Sequence, residues 1–107
     1  MQNLAPADFS GEKLLREGKW VVAFGADWCP YCRDFRKRYE LREPTLGGNV
    51  AWVDVSDTDN PLWNSFNLDI IPTMMVFQDG DQSWRRDGKS MKGLTNQDLD
   101  DLLAASK

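Results

Sequence analysis

The stretch Trp28-Cys29-Pro30-Tyr31-Cys32 holds both cysteines of the chain, with only two residues between them. A strand-like apolar run precedes it and a helical pattern follows it, so the pair is predicted at a strand-to-helix junction. There Cys29 lies at a helix N-terminus, whose unpaired N–H groups and positive dipole end favour a thiolate. Pro30 fits the first helical turn, because its fixed φ is helical. The stretch predicts a redox-active cysteine pair.

Three other roles for the two cysteines are less consistent with the sequence. A zinc site commonly needs four Cys or His ligands, and this chain has two Cys and no His, so we expect no metal. A structural disulfide across so short a loop would stabilise the fold little. Two inert core cysteines are the third alternative. Redox chemistry accounts best for the spacing and the position.

Composition favours one folded domain over residues 1–107, since this length can bury a core without metal or disulfides. A net charge of −4 and a pI near 4.7 argue against nucleic-acid binding. No apolar run approaches the roughly 18 residues of a membrane span, and no signal peptide is evident near the start. We expect a monomer in the cytoplasm, or a periplasmic or membrane-tethered protein if a leader or anchor precedes this chain.

Hydrophobic patterning predicts the order helix, strand, helix, strand, helix, strand, strand, helix. Residues 1–8 are expected to be a loose start or a brief edge strand. Strands separated by helices imply parallel crossovers, and the late hairpin adds an antiparallel edge. The prediction is an α/β fold with a central mixed sheet of four to five strands and helices on both faces. The predicted helices are 10–17, from 29, 62–66 and from 95, and the predicted strands are 20–26, 50–55, 73–77 and 82–86.

From about residue 9 to residue 103 the chain resembles the thioredoxin family. The sequence Phe-Gly-Ala-Asp-Trp-Cys at 24–29 is similar to the family's strand before its Trp-Cys-X-X-Cys motif. Ile71-Pro72-Thr73 resembles the cis-proline loop that lies against the cysteines, and 77–80 resembles the hairpin after it. The resemblance implies a thioredoxin fold, a cis bond before Pro72 and an apolar substrate surface. The residues of that surface would be Trp28, Pro30, Tyr31, Ile71 and Pro72.

Several positions depart from the thioredoxin pattern. Pro30-Tyr31 stands where thioredoxins usually have Gly-Pro and is the pair familiar from glutaredoxins. The family's buried acid is replaced by Ala23, the lysine that often accompanies it by Trp52, and the helix-kinking proline by Lys37. The glycine of the substrate groove could be Gly88 or Gly93. Trp63 is predicted to be a core residue without a function.

The resemblance and the sulfur chemistry together predict a thiol–disulfide oxidoreductase acting on protein disulfides or dithiols. Cys29 would be the attacking nucleophile and Cys32 the resolving thiol. No cofactor is expected beyond the Cys29–Cys32 disulfide, and the electron donor would be a thioredoxin-reductase-like protein or another thiol reductant. The alternatives are a thioredoxin-like binding or regulatory domain and a glutathione-linked, glutaredoxin-like reductase.

The departures also predict the direction in which the reduction potential moves. Pro30-Tyr31 leaves the amides of the first turn free to bond Cys29, and the helix after it is basic. Ala23 removes a carboxylate that would oppose a thiolate. We therefore expect a potential above about −250 mV, less reducing than that of an ordinary thioredoxin. The basic residues are Arg33, Arg36, Lys37, Arg38 and Arg42, for which a solvated helix face is the alternative interpretation.

Overall fold

The computed structural model describes the whole chain, from Met1 to Lys107. Seven strands and three α-helices alternate along it, with short 3₁₀ turns at Pro6–Asp8 and Glu43–Thr45. The strands are β1 (Gln2–Leu4), β2 (Phe9–Ser10), β3 (Lys13–Leu14), β4 (Lys19–Gly25), β5 (Asn49–Asp54), β6 (Thr73–Gln78) and β7 (Asp81–Asp87). The helices are α1 (Pro30–Arg42), α2 (Leu62–Ser65) and α3 (Asn96–Ala105).

A five-stranded mixed sheet in the order β1-β5-β4-β6-β7 forms the centre of the molecule. β5 pairs in parallel with both β1 and β4, whereas β6 is antiparallel to both β4 and β7. The brief edge strand that was one expectation for residues 1–8 is therefore present as β1. The predicted mixed α/β sheet with helices on both faces is confirmed.

Two layers of side chains cover the two faces of this sheet. On one face α1 and α3 pack through residues such as Phe35, Tyr39 and Leu99. On the other face α2 and the β2–β3 hairpin pack through Phe9 and Phe66, which lie edge to face with ring centroids 5.4 Å apart. Successive residues of a strand point to opposite faces, so the apolar runs of the central strands contribute side chains to both layers.

The predicted helix at 10–17 is wrong, because this segment is the β2–β3 hairpin. Gly11 turns the chain with φ +58°, and Phe9 pairs with Leu14 so that both side chains are buried. The Leu14 N–H donates to the Gly80 carbonyl at 3.0 Å, which ties the hairpin to the β6–β7 turn. Leu15, the next residue after the buried Leu14, is 58% exposed. Contacts with distant segments here outweigh a weak helical pattern.

Short-range hydrogen bonds and turn geometry define two local features of the fold. Thr95 caps α3 reciprocally with Asp98, since each side chain accepts a hydrogen bond from the other residue's N–H. The β6–β7 turn places Asp79 at φ 50° and Gly80 at φ 91°, the left-handed pair of a tight hairpin. No helix of the structure has both the length and the apolar character that crossing a bilayer requires.

Candidate active site

The junction between β4 and α1 holds both cysteines, as the sequence predicted. Cys29 is the N-cap residue of α1 with extended backbone angles, and Pro30 is the first helical residue. The Cys32 N–H donates to Cys29 Sγ at 3.3 Å. The same N–H also donates to the Cys29 carbonyl oxygen at 3.1 Å, so the sulfur shares this donor with the first turn of α1.

The two cysteines differ in exposure. Cys29 is 7% exposed and Cys32 only 1% exposed, on the inner side of the first turn of α1. Burial, and next the hydrogen bond with Cys29, raises the pKa of Cys32 to about 12. Cys32 is therefore a neutral thiol at pH 7, and it must lose a proton before or while it reacts.

The loop before β6 lies against the sulfur of Cys29. The Ile71-Pro72 bond is cis, which confirms the prediction, and Cys29 Sγ lies 3.9 Å from the Ile71 carbonyl oxygen. Thr73 donates its hydroxyl to the Ile70 carbonyl at 2.7 Å and so fixes the loop at its far end. A disulfide that approaches Cys29 would meet this loop on one side.

The five residues predicted to form the substrate surface lie around the cysteine pair but differ in exposure. Trp28 is 53% exposed and Tyr31 is 40% exposed, and Pro30 is also exposed. Ile71 and Pro72 are buried beneath this rim. The exposed aromatic side chains are therefore the ones that a partner could cover.

Trp63 is half-buried and lies next to Trp28, a contact that sequence reasoning missed. The two indole rings stack with centroids 6.4 Å apart and planes 10° from parallel. Trp28 Nε1 donates to the Ser56 carbonyl at 2.9 Å, and Trp63 Nε1 donates to the Val55 carbonyl at 3.1 Å. Trp63 packs against the core as predicted, but it also fixes the orientation of the exposed tryptophan.

Both candidate groove glycines border the site, in different ways. The Gly88 N–H donates to the Pro72 carbonyl at 2.9 Å. Gly93 has φ +67°, and a Cβ added there would lie 3.0 Å from the Cβ of Tyr31. Gly88 therefore supports the cis-proline loop, and Gly93 lets the chain pass close to the helix.

α1 runs without a break through Lys37, where the family commonly has a kinking proline. Three of its arginines form ion pairs with acidic residues on α1 itself or on α3: Arg36 with Glu40, Arg38 with Asp34, and Arg42 with Asp100. These pairs support a solvated helix face as the role of most of the basic residues.

Trp52 fills the space behind Cys32 where the family has its acid and lysine. Trp52 pairs in register with Ala23 and is 4% exposed. Its ring lies over Gly25, where an added Cβ would come within 2.4 Å of Trp52 Cζ2, and the Arg36 guanidinium stands 4.8 Å from the ring centroid. Glycine at 25 is thus required by the size of the indole ring.

We expect Gly25→Ala to destabilise the protein by about 1–3 kcal/mol, because the buried methyl group overpacks the core against Trp52. The free energy of unfolding, measured with urea, tests this. Trp52→Leu in the same background should recover part of the loss, since it removes the ring that the methyl group meets. Additive effects of the two substitutions would contradict the proposed clash.

The comparisons with known proteins agree on one family. The family model Thioredoxin matches residues 1–103. The chain is 32% identical over 81 residues to thioredoxin of Rhodospirillum rubrum, covering 75% of this chain and 78% of that protein. It is 35% identical over 86 residues to protein disulfide-isomerase A3 of Gallus gallus, covering 79% of this chain but only 17% of the longer protein.

Solved structures show the same fold. A reduced thioredoxin pre-protein of Schistosoma mansoni superposes with a TM-score of 0.68 at 18% identity, over 85% of this chain and 81% of that one. A thioredoxin variant of Halobacterium salinarum gives a TM-score of 0.68 at 25% identity, over 85% and 77% of the two chains. The chain therefore belongs to the thioredoxin family, a family of thiol–disulfide oxidoreductases.

Proposed function

We propose that this chain exchanges disulfides with protein substrates, with Cys29 as the attacking sulfur and Cys32 as the resolving sulfur. The contact between the Cys32 N–H and Cys29 Sγ at the start of α1 is the observation that carries this proposal. It places a hydrogen-bond donor on the more exposed of the two sulfurs, which is the one a substrate can reach.

Two exchange steps follow from this arrangement. The Cys29 thiolate attacks one sulfur of the target disulfide, forms a mixed disulfide and releases the other target sulfur as a thiolate. Cys32 then loses its proton and attacks Cys29, which forms the Cys29–Cys32 disulfide and releases the second target sulfur. The target gains two electrons and the chain loses two, and both released thiolates take up protons from solvent.

The surface around Cys29 suits an extended protein segment. Trp28 and Tyr31 offer exposed aromatic faces on either side of Pro30, and the cis-proline loop with Ile71 and Pro72 provides the floor. Apolar contact with these side chains would hold a substrate while the sulfurs align. The reductant would be a thioredoxin-reductase-like protein or another thiol, and no cofactor beyond the cysteine pair is needed.

Insulin reduction by dithiothreitol tests the proposed activity. A catalytic amount of the protein should accelerate precipitation of the insulin chains well beyond dithiothreitol alone. No acceleration would favour the alternative, a binding or regulatory domain. If the protein instead reduces glutathione mixed disulfides with glutathione as the donor and leaves insulin untouched, a glutaredoxin-like role would replace the proposal.

We expect the reduction potential of the pair to lie above about −250 mV. The amide at Cys32 donates to Cys29 Sγ, and Ala23 stands where the family has a buried carboxylate that would oppose a thiolate, so both features favour the reduced form. Equilibration with glutathione buffers, followed by tryptophan fluorescence, gives the value. A reduction potential at or below about −270 mV would show that these two features do not determine the potential of the pair.

A further inference from the structure

A cavity of about 140 Å³ has Cys32 in its lining, and none of the five residues of the substrate surface borders it. The other lining residues include Trp52, Arg36, Asp27 and Asp54. This volume admits water molecules, and the charged lining offers them hydrogen-bond partners. Cys32, although buried, thus borders a space that charged side chains also line.

Asp54 belongs to this cavity because of its position at the end of β5. Alternation along the strand puts Asp54 on the same face as Trp52, the face that α1 covers. Asp54 pairs with Gly25, and a Cβ added to Gly25 would lie 3.3 Å from the Cβ of Cys32. Gly25, which pairs with Asp54, therefore leaves the space beside Cys32 open.

Ser56 fixes the direction of the Asp54 side chain. The Ser56 N–H donates to Asp54 Oδ1 at 2.9 Å, and the Ser56 hydroxyl donates to the same oxygen. The Asp27 N–H in turn donates to Ser56 Oγ at 2.8 Å, which links the ends of β4 and β5. The Asp54 carboxylate is an oriented acceptor with one oxygen, Oδ2, that no protein donor occupies.

The resolving step, in which Cys32 attacks the mixed disulfide, requires a proton acceptor near Cys32. Cys32 is a buried neutral thiol, and the position beneath it is occupied by Ala23 and the Trp52 ring, neither of which accepts a proton. The titratable groups that line the cavity with Cys32 are Asp27, Asp54, Arg33 and Arg36. The two arginines carry no free acceptor, so the carboxylates are the bases available.

We propose that Asp54, acting through water in this cavity, accepts the proton of Cys32 when Cys32 attacks the mixed disulfide. The inference rests on the proposed function. The S–H bond of Cys32 breaks, its proton passes through water to the carboxylate, and its sulfur forms a bond to Cys29 Sγ. The bond between Cys29 and the target sulfur breaks, and the electron pair leaves with the target sulfur, which takes a proton from solvent. Asp54 then returns its proton to solvent.

The choice of Asp54 over Asp27 follows from the hydrogen bonds. Both carboxylates are exposed, but two donors from Ser56 hold the Asp54 side chain, whereas the Asp27 side chain makes no hydrogen bond within the chain and is free to turn. A fixed acceptor needs no reorientation to receive a proton, so Asp54 is the better positioned of the two carboxylates.

The test separates the two exchange steps in the reduced protein with stoichiometric dithiobis-nitrobenzoate. Attack by Cys29 releases one thionitrobenzoate in a first phase, and resolution by Cys32 releases the other in a second phase. We expect Asp54→Asn to leave the first phase unchanged and to slow the second about tenfold or more at neutral pH. Added imidazole should restore part of the second phase, and Asp54→Glu should restore more, because each supplies a base.

The sign of the change in the second phase distinguishes a base at position 54 from a charge that acts only through its electric field. Removing a negative charge near Cys32 favours its thiolate, so a carboxylate that acts only through its field would give a faster second phase in Asp54→Asn. The matched control is Asp59→Asn, a nearby exposed acid that does not line the cavity. An unchanged or faster second phase in Asp54→Asn overturns the inference, and so does a slow second phase in Asp27→Asn alone. A wild-type protein without a first phase would overturn the proposed function itself.

Discussion

Cys29→Ser should reduce insulin no faster than dithiothreitol alone. Cys29 is the more exposed sulfur and the one that accepts the Cys32 N–H, whereas Cys32 is enclosed under the first turn of α1. A serine hydroxyl can keep that hydrogen bond, so the fold should persist, but it does not ionise near neutral pH or form a bond to sulfur. The turnover rate with insulin measures the loss.

The control for this substitution is the reaction of each reduced variant with dithiobis-nitrobenzoate in the absence of insulin. Cys32→Ser should still react rapidly through Cys29, while Cys29→Ser, whose remaining thiol is buried, should react slowly. A Cys29→Ser protein that matches the wild-type rate with insulin would show that the roles of the two sulfurs are assigned wrongly.

The central sheet and the cysteine junction were predictable because their signals are local. β4, β5 and β6 are short runs of apolar and β-branched residues, a pattern that is typical of strands with both faces covered. The α3 cap and the tight β6–β7 turn depend on residues three positions apart or fewer. Each of these features is decided within one window of sequence.

The features that the sequence did not predict depend on distant contacts. The 10–17 segment has a helix-like pattern, yet Gly11 and the hydrogen bond from Leu14 to Gly80 make it a hairpin. The stack of Trp63 on Trp28 joins a residue of α2 to a residue of the β4–α1 loop, which only the fold brings together. No periodicity or motif marks such pairs.

The role of Trp52 follows from the sequence and the packing together. The sequence shows that an acid and a lysine are replaced by Ala23 and Trp52, but only the packing shows that the indole ring lies over Gly25. The same ring forms a wall of the cavity that contains Asp54. The Asp54 carboxylate thus lies on β5, two residues after Trp52, whereas the family's acid would lie at position 23 on β4.

Cys32→Ser should convert the protein into a trap for its substrates. The first step depends on Cys29 and on the helix N-terminus, and a serine at 32 leaves both in place, including the N–H that bonds Cys29 Sγ. The second step needs a sulfur at position 32, so the mixed disulfide with a target protein accumulates. We expect most of the variant to be recovered as dithiothreitol-sensitive adducts after exposure to oxidised protein extracts, against little for the wild type.

Non-reducing gels followed by mass spectrometry of the released partners measure this result and name the substrates. The doubly substituted Cys29→Ser, Cys32→Ser protein is the control, because it keeps the aromatic surface and has no sulfur to form a bond. Equal recovery of partners with this control would mean that Trp28 and Tyr31 hold proteins without exchange, which is the behaviour of a binding domain. Adducts that form in the Cys32→Ser protein and vanish with dithiothreitol require instead that Cys29 attacks, since it is the one sulfur left in a cysteine side chain of that variant.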